Sequence, residues 1–281
     1  MSVKKGKKHS TVAFFVLAYL ITWAFWIPFV VFAPSSSAFG SNPELRSSPF
    51  MLLQVLGNFG PTFAAILLLM FSGKRGELKD AFSRLLPHRA KLIWYIIVLF
   101  LPVGALLPGL FVYALLGGNI AGFSILGLLM MFVPAIFISG LGEEMGWRGY
   151  ALTKLQMTKS PFNSSLIVGV LWGLWHLPII YWVSSQTGLF FIAEFVLYVL
   201  LLTAGSIVFT WVFNATNKSL WMVILMHAAF TAGGNTIAVF VQPAMGGSWV
   251  PYIVNVLSAI VVAVIVVAFN KTRMLSRQRA E

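Results

Sequence analysis

The sequence predicts an all-α integral membrane protein that crosses the bilayer about eight times, with both termini in the cytoplasm. Three observations predict this class. Of the 281 residues, 59% are hydrophobic and only 9% are charged, whereas soluble domains have about 25% charged residues. The apolar residues are grouped in stretches long enough to cross the hydrocarbon layer as helices. The basic residues lie almost entirely in alternate gaps between these stretches.

The apolar stretches define the predicted spans. The gaps between them contain residues that break helices, such as Pro34, Pro43 and the pair Gly117-Gly118. The eight predicted spans cover residues 11–33, 50–71, 92–116, 123–146, 162–183, 189–213, 219–242 and 250–270. No gap is long or polar enough for a soluble domain, so we expect residues 1–281 to form a single polytopic membrane domain.

The distribution of positive charge predicts the orientation. If the spans alternate in direction, 18 of the 19 lysines and arginines fall on one side and only Arg46 falls on the other. The positive-inside rule then places both termini in the cytoplasm. We expect the protein to reside in the cell membrane, with its active site open to the cytoplasmic side. The net charge of +12 is explained by this orientation and by contact with anionic lipid headgroups, so no nucleic-acid partner is expected. Cysteine is absent, which excludes disulfides and thiolate chemistry.

A few ionisable residues lie within or beside the predicted spans, where they cost several kcal/mol unless they are paired or face water. They are Glu143 and Glu144 in span 4, His176 in span 5, His227 in span 7 and Glu194 in span 6. Such residues are candidates for function. Glu194 lies near the outer end of its span without an evident partner, so we expect an interfacial residue outside the site.

The two adjacent glutamates are expected to have different roles. In a helix, Glu144 and Arg148 form an i, i+4 pair with the acid first, which is the more favourable order. Glu143 points about 100° away from this pair and has no cation in reach on its own helix, which suits it to proton transfer. The alternative is that both glutamates are solvated at a cytoplasmic helix end.

The histidine of span 5 is expected to face the bundle interior. Gly169, Gly173 and His176 share one helix face, and the two glycines permit a close approach of a second helix. Trp172 and Trp175 are expected to pack around the site. The alternative is a structural histidine whose hydrogen bonds are satisfied within the bundle.

The histidine of span 7 begins a polar stripe. His227, Thr231 and Asn235 repeat every four residues, and Gly233-Gly234 is expected to unwind the helix there. One glutamate and two histidines on three helices, all accessible from the cytoplasmic side, fit a site that activates water. The alternative is that these polar groups only join helices by hydrogen bonds.

These motifs resemble the CPBP (Abi) family of intramembrane proteases, which includes the type II CAAX prenyl endopeptidases. The family motif Glu-Glu-x-x-x-Arg is matched by Glu143, Glu144 and Arg148. The motif Phe-x-x-x-His is matched by Trp172 and His176, with Trp in place of Phe. The motifs occur in the family's order within a core of about residues 123–242.

The last family motif, His-x-x-x-Asn, is matched at His227, but Thr231 stands where the family has Asn. The resemblance implies that Glu143 and His176 activate water and that His227, with an amide or hydroxyl neighbour, stabilises the oxyanion. Asn235, one turn further on, is a candidate for replacing the missing amide. Glu144, Arg148 and Trp172 would have supporting roles.

The resemblance implies an endopeptidase that cleaves a membrane-associated peptide or a prenylated protein, in peptide processing or bacteriocin self-immunity. Two forms of chemistry stay open. Glu143, His176 and His227 suffice as ligands for a catalytic zinc, but Glu143 cannot easily serve both as ligand and as general base, which favours glutamate-dependent chemistry. The alternative functions are a non-catalytic immunity protein, a proton-coupled transporter or a scaffold.

Overall fold

The computed structural model describes residues 3–33, 49–72, 76–87, 90–120, 124–241 and 249–275, and every regular element among these residues is helical. In chain order the helices are α1 (Val3–Phe32), α2 (Phe50–Asn58), α3 (Gly60–Met70), α4 (Glu77–Ser83), α5 (Leu92–Gly104), α6 (Leu107–Leu115), α7 (Ile125–Gln156), α8 (Pro161–Trp175), α9 (Leu177–Val183), α10 (Gly188–Ala215), α11 (Leu220–Val241), α12 (Trp249–Phe269) and α13 (Lys271–Leu275).

The number of candidate spans is six to eight, a range that includes the predicted eight. Among the described residues, six helical segments are long and apolar enough to cross a membrane, and the count reaches eight if each of the bent pairs α2–α3 and α8–α9 is one span. Large apolar side chains such as Leu189 and Phe269 are exposed on the outside of the bundle, where they would face lipid. The chain is therefore a helical integral membrane protein. The direction of its termini stays a prediction.

The fourth span is longer than predicted. We expected it to end at residue 146 and Arg148 to be a cytoplasmic charge, but α7 continues to Gln156. No proline interrupts the sequence between these points, so nothing in the chain stops the helix. Arg148 consequently lies inside the bundle with 0% of its surface exposed. The count of positive charges on the cytoplasmic side therefore included one residue that is buried.

Two spans are bent by proline. The helices α2 and α3 meet at 49°, and α8 and α9 meet at 47°. Pro61 stands at the start of α3, and Pro178 stands at the start of α9. A proline is accommodated in the first turn of a helix but disrupts the hydrogen bonds of a helix that continues through it. The second bend places His176 at the junction of α8 and α9.

The predicted close packing of span 5 is confirmed. A Cβ atom added to Gly169 would lie 2.7 Å from Thr203 Cα on α10, and one added to Gly173 would lie 2.9 Å from Val199 Cα. Both distances are shorter than any side chain tolerates, so α8 and α10 approach this closely only because of the two glycines. The contact fixes the position of the histidine that follows on α8 relative to α10.

The helix of span 7 differs from the prediction at its glycines. α11 is continuous from Leu220 to Val241, so the expected unwinding at Gly233-Gly234 is wrong. Helical hydrogen bonds are retained because glycine is only mildly unfavourable in a helix. At its N-terminus, the carbonyl of Arg84 accepts hydrogen bonds from the backbone N–H groups of Leu220 and Trp221 at 2.9 and 3.2 Å. The segment after α4 thus caps the helix that bears His227.

Candidate active site

The two glutamates lie in an unusual part of α7. The helix has π-helical geometry at Ile136–Leu141 and at Met145–Leu152, and the short α-helical segment between them bears Glu143 and Glu144. Only 2% of Glu143 and 0% of Glu144 is exposed, so the alternative of solvated glutamates is wrong. Segments of π-helix are rare in proteins, and those that occur are often found at functional sites.

Glu144 joins two helices through a single oxygen atom. Its Oε1 accepts a hydrogen bond from Arg148 Nη1 at 2.7 Å, as the spacing predicted, and another from His227 Nδ1 at 2.6 Å. The second bond was not foreseen. Because a carboxylate only accepts, Nδ1 of His227 must be protonated, and the carboxylate fixes the orientation of the imidazole. The Nε2 atom of His227 is then directed away from Glu144.

That Nε2 atom lies near the other glutamate. It is 3.8 Å from Oε1 of Glu143. The second oxygen of Glu143, Oε2, accepts a hydrogen bond from the indole Nε1 of Trp172 at 2.6 Å. We expected Trp172 only to pack around the site, but it is a hydrogen-bond donor to the candidate general base. A phenylalanine at this position could not make the bond.

His176 is held by the same tryptophan. Its Nδ1 is 2.8 Å from the backbone carbonyl of Trp172, so Nδ1 is the protonated nitrogen and Nε2 is the acceptor in the neutral ring. Aromatic rings surround the imidazole, with centroids at 4.6 Å for Trp175, 5.5 Å for Tyr198 and 6.0 Å for Trp26. Trp172 therefore positions both groups that were predicted to activate water.

Arg148 is enclosed by aromatic faces. Its guanidinium carbon is 4.5 Å from the ring centroid of Trp172 and 4.4 Å from that of Phe209. Such cation–π contacts are strongest when the cation is desolvated. Together with the ion pair to Glu144, they compensate for the burial of a charge that would otherwise cost several kcal/mol.

Two predicted residues occupy positions that limit their roles. Thr231 is half-buried one turn after His227, about 6 Å along the axis. Asn235 is exposed and lies about 12 Å along the axis from His227. Because α11 stays helical, the structure does not bring the Asn235 amide to the histidine, so its expected role as a replacement is not supported by the geometry.

Glu194 corrects another prediction. It is 2% exposed and accepts a hydrogen bond from the hydroxyl of Ser184 at 2.7 Å. It is therefore a buried, hydrogen-bonded residue, contrary to the expectation of an interfacial glutamate without a partner. Ser184 immediately follows α9, which returns toward α10, and this tight connection explains the contact. The chain thus has a buried glutamate outside the candidate site.

The residues do not form a three-ligand metal site in the arrangement described. Within the described part of the chain, no group of three or more His, Asp or Glu side chains is placed to hold a metal ion. Nδ1 of His227 is bonded to Glu144 and Nδ1 of His176 to the backbone, which leaves the two Nε2 atoms as the ring nitrogens that could bind a metal. We therefore derive no step through a metal, and the preference for glutamate-dependent chemistry over a catalytic zinc stays a prediction.

A narrow apolar cavity adjoins the site. It has a volume of about 40 Å³ and is lined by apolar residues of α5, α10, α11 and α12 and of the short connection between α5 and α6. Its wall includes Phe209, whose ring centroid is 5.8 Å from that of His227, and Met226, which precedes this histidine. An apolar group of a ligand in this cavity would therefore lie close to His227.

Fold and site together define a multi-pass helical membrane protein with a buried carboxylate–imidazole centre. The sequence profile described as type II CAAX prenyl endopeptidase, Rce1-like, matches residues 124–233, which include every predicted site residue except Asn235. The chain is also 28% identical over 250 residues to CAAX prenyl protease 2 of Methanococcus maripaludis, an alignment that covers 83% of this chain and 86% of the relative. The segment 124–233 is thus similar to the Rce1-like family, and the predicted resemblance to the type II CAAX prenyl endopeptidases is confirmed.

Proposed function

We propose that this protein is an endopeptidase that hydrolyses a peptide bond of a prenylated or membrane-associated substrate within the bilayer. The observation that supports this most is the convergence of Glu143 and His227 from different helices. Their facing atoms are 3.8 Å apart, and each residue is fixed by its own buried hydrogen bond. Side chains whose orientation is fixed by buried hydrogen bonds are typical of catalytic sites.

In the proposed mechanism, Glu143 takes a proton from a water molecule, assisted by the free Nε2 atom of His176. The hydroxide attacks the carbonyl carbon of the substrate. For this step His227 must hold a proton on each ring nitrogen: Nδ1–H donates to Glu144, which orients the ring, and Nε2–H donates to the oxygen on which negative charge develops. The proton held by Glu143 then passes to the leaving amine.

The surroundings of the site favour an apolar substrate. The cavity beside Phe209 and Met226 is lined by apolar side chains alone, and the site lies among helices that cross the membrane. The named relative is a CAAX prenyl protease, which supports a prenylated peptide as the first substrate to test. For the biological role we propose peptide processing, with bacteriocin self-immunity as one setting.

The decisive experiment compares cleavage of a farnesylated peptide by purified wild-type protein and by the Glu143→Gln variant in liposomes. We expect the variant to fold and to lose activity, because the exchange removes proton transfer and little volume. Glu194→Gln is the matched control, since it changes another buried glutamate outside the site. Mass spectrometry of the products identifies the cleaved bond. Equal activity of wild type and Glu143→Gln would contradict the proposal.

A further inference from the structure

A tyrosine that the sequence motifs do not include lies against the candidate site. Tyr198 is half-buried on α10, and its ring centroid is 5.5 Å from that of His176 with the two planes at 70°. Its neighbour in the chain, Val199, is the residue that packs on Gly173. The close contact of α8 and α10 therefore holds the tyrosine in place beside the histidine.

The polar surroundings of Tyr198 come from several helices. Within the described residues, its interactions with ionisable side chains are the ring contact with His176 on α8 and electrostatic interactions with Glu143 on α7 and Tyr252 on α12. The ring of the phenol thus packs against His176, one of the two groups that are proposed to activate water. A phenol hydroxyl is a good hydrogen-bond donor and stays protonated at neutral pH.

The proposed reaction requires donors for the developing oxyanion, and two of the donors near the site are already used. The Trp172 indole N–H is bonded to Glu143, and Nδ1–H of His176 is bonded to the backbone. Thr231 has a short side chain and lies a full turn from His227. The hydroxyl of Tyr198 is a further donor on a ring that packs against His176, alongside the Trp175 indole N–H and two Arg148 nitrogens that have no hydrogen-bond partner among the described residues.

We propose that Tyr198 is a catalytic residue whose hydroxyl donates a hydrogen bond to the oxyanion of the tetrahedral intermediate, together with His227. The inference rests on the proposed function. When water adds to the carbonyl carbon, a new C–O bond forms and the π-electron pair moves to the carbonyl oxygen. Glu143 holds the proton taken from water. On collapse the C=O bond reforms, the C–N bond breaks, and the amine leaves with that proton.

The test uses three variants of the full-length protein in liposomes with the farnesylated peptide. Tyr198→Phe keeps the ring and removes the hydroxyl, Tyr198→Leu removes both, and Tyr252→Phe removes a nearby buried hydroxyl as a control. We expect Tyr198→Phe to lower kcat by about 100-fold, the usual effect of one oxyanion donor, with KM nearly unchanged. We expect Tyr252→Phe to behave as wild type.

A binding measurement separates catalysis from packing. A phosphonate peptide that mimics the tetrahedral intermediate should bind to Tyr198→Phe more weakly by the same factor as kcat/KM falls, because only the transition state is recognised by the hydroxyl. If Tyr198→Phe does not fold, 3,5-difluorotyrosine at position 198 keeps the shape and strengthens the donor, and an increase in kcat is expected.

Three outcomes would overturn the inference. One is a Tyr198→Phe variant with wild-type kcat while Tyr198→Leu is inactive, which would show a packing role for the ring. Another is an equal loss in Tyr198→Phe and Tyr252→Phe. The third is a difluorotyrosine protein with unchanged kcat. In each of these cases an active wild type and an inactive Glu143→Gln variant would leave the proposed function standing, whereas a wild type that cleaves no peptide would overturn both.

Discussion

The exchange Trp172→Phe tests how much the hydrogen bond from the indole contributes to catalysis. Phenylalanine is the residue of the family motif at this position, and it preserves an aromatic face for Arg148 and both histidines. The exchange removes the 2.6 Å bond from Nε1 to Oε2 of Glu143. A hydrogen bond to a charged group contributes about 1.5–3 kcal/mol. Since 1.4 kcal/mol corresponds to a factor of ten, we expect a loss of kcat of roughly 10- to 100-fold.

Trp175, about one turn further along α8, offers the control for this exchange. Trp175 has a buried indole N–H that has no hydrogen-bond partner among the described residues, and its ring also contacts His176. Trp175→Phe therefore removes similar volume but no hydrogen bond. Both variants would be assayed with the farnesylated peptide, with thermal unfolding as a check of folding. Equal activities in Trp172→Phe and Trp175→Phe would refute the reasoning.

The remaining predictions concern the ion pair, the metal, the motif departure and the topology. Glu144→Gln should lower folded yield and melting temperature as well as activity, since breaking a buried pair costs about 3–5 kcal/mol. A purely catalytic loss would contradict this. Metal analysis of the purified protein should find less than one zinc per chain, and chelators should spare activity. Stoichiometric zinc that is lost with activity in His227→Ala would show the opposite. Thr231→Asn should leave activity equal or higher, by at most about 10²–10³-fold, and a lower kcat would contradict a donor role there. Reporter fusions after Lys218 should read cytoplasmic and those at Gly118 external, and an external reading at Lys218 would disprove the eight-span topology.

The helical membrane-spanning architecture and the contact between Glu144 and Arg148 could be predicted because they depend on local patterns. Apolar stretches predict spans, and the i, i+4 spacing of Glu144 and Arg148 predicts their contact. The tertiary contacts could not be predicted in the same way. The bond from His227 to Glu144 depends on how α7 and α11 pack, and hydropathy does not encode this packing.

Some of the missed features did have a signal in the sequence. Pro178 follows His176 closely and indicates the bend that the apolar stretch concealed. The replacement of Phe by Trp172 indicates an added hydrogen-bond donor. The role proposed for Tyr198 had no such signal, because a tyrosine in an apolar helix is usually a packing residue. Its position beside the site becomes visible only when α8 and α10 are in contact.

The shared oxygen of Glu144 has a consequence for the biosynthesis of the protein. As α7 enters the membrane, its buried acid and base are neighbours on one helix and neutralise each other locally, which lowers the cost of insertion. The histidine that completes the centre is synthesised later, on α11. A nascent chain that lacks α11 therefore has the glutamates but no oriented imidazole, and the proposed hydrolysis would require the later helices to have inserted and docked.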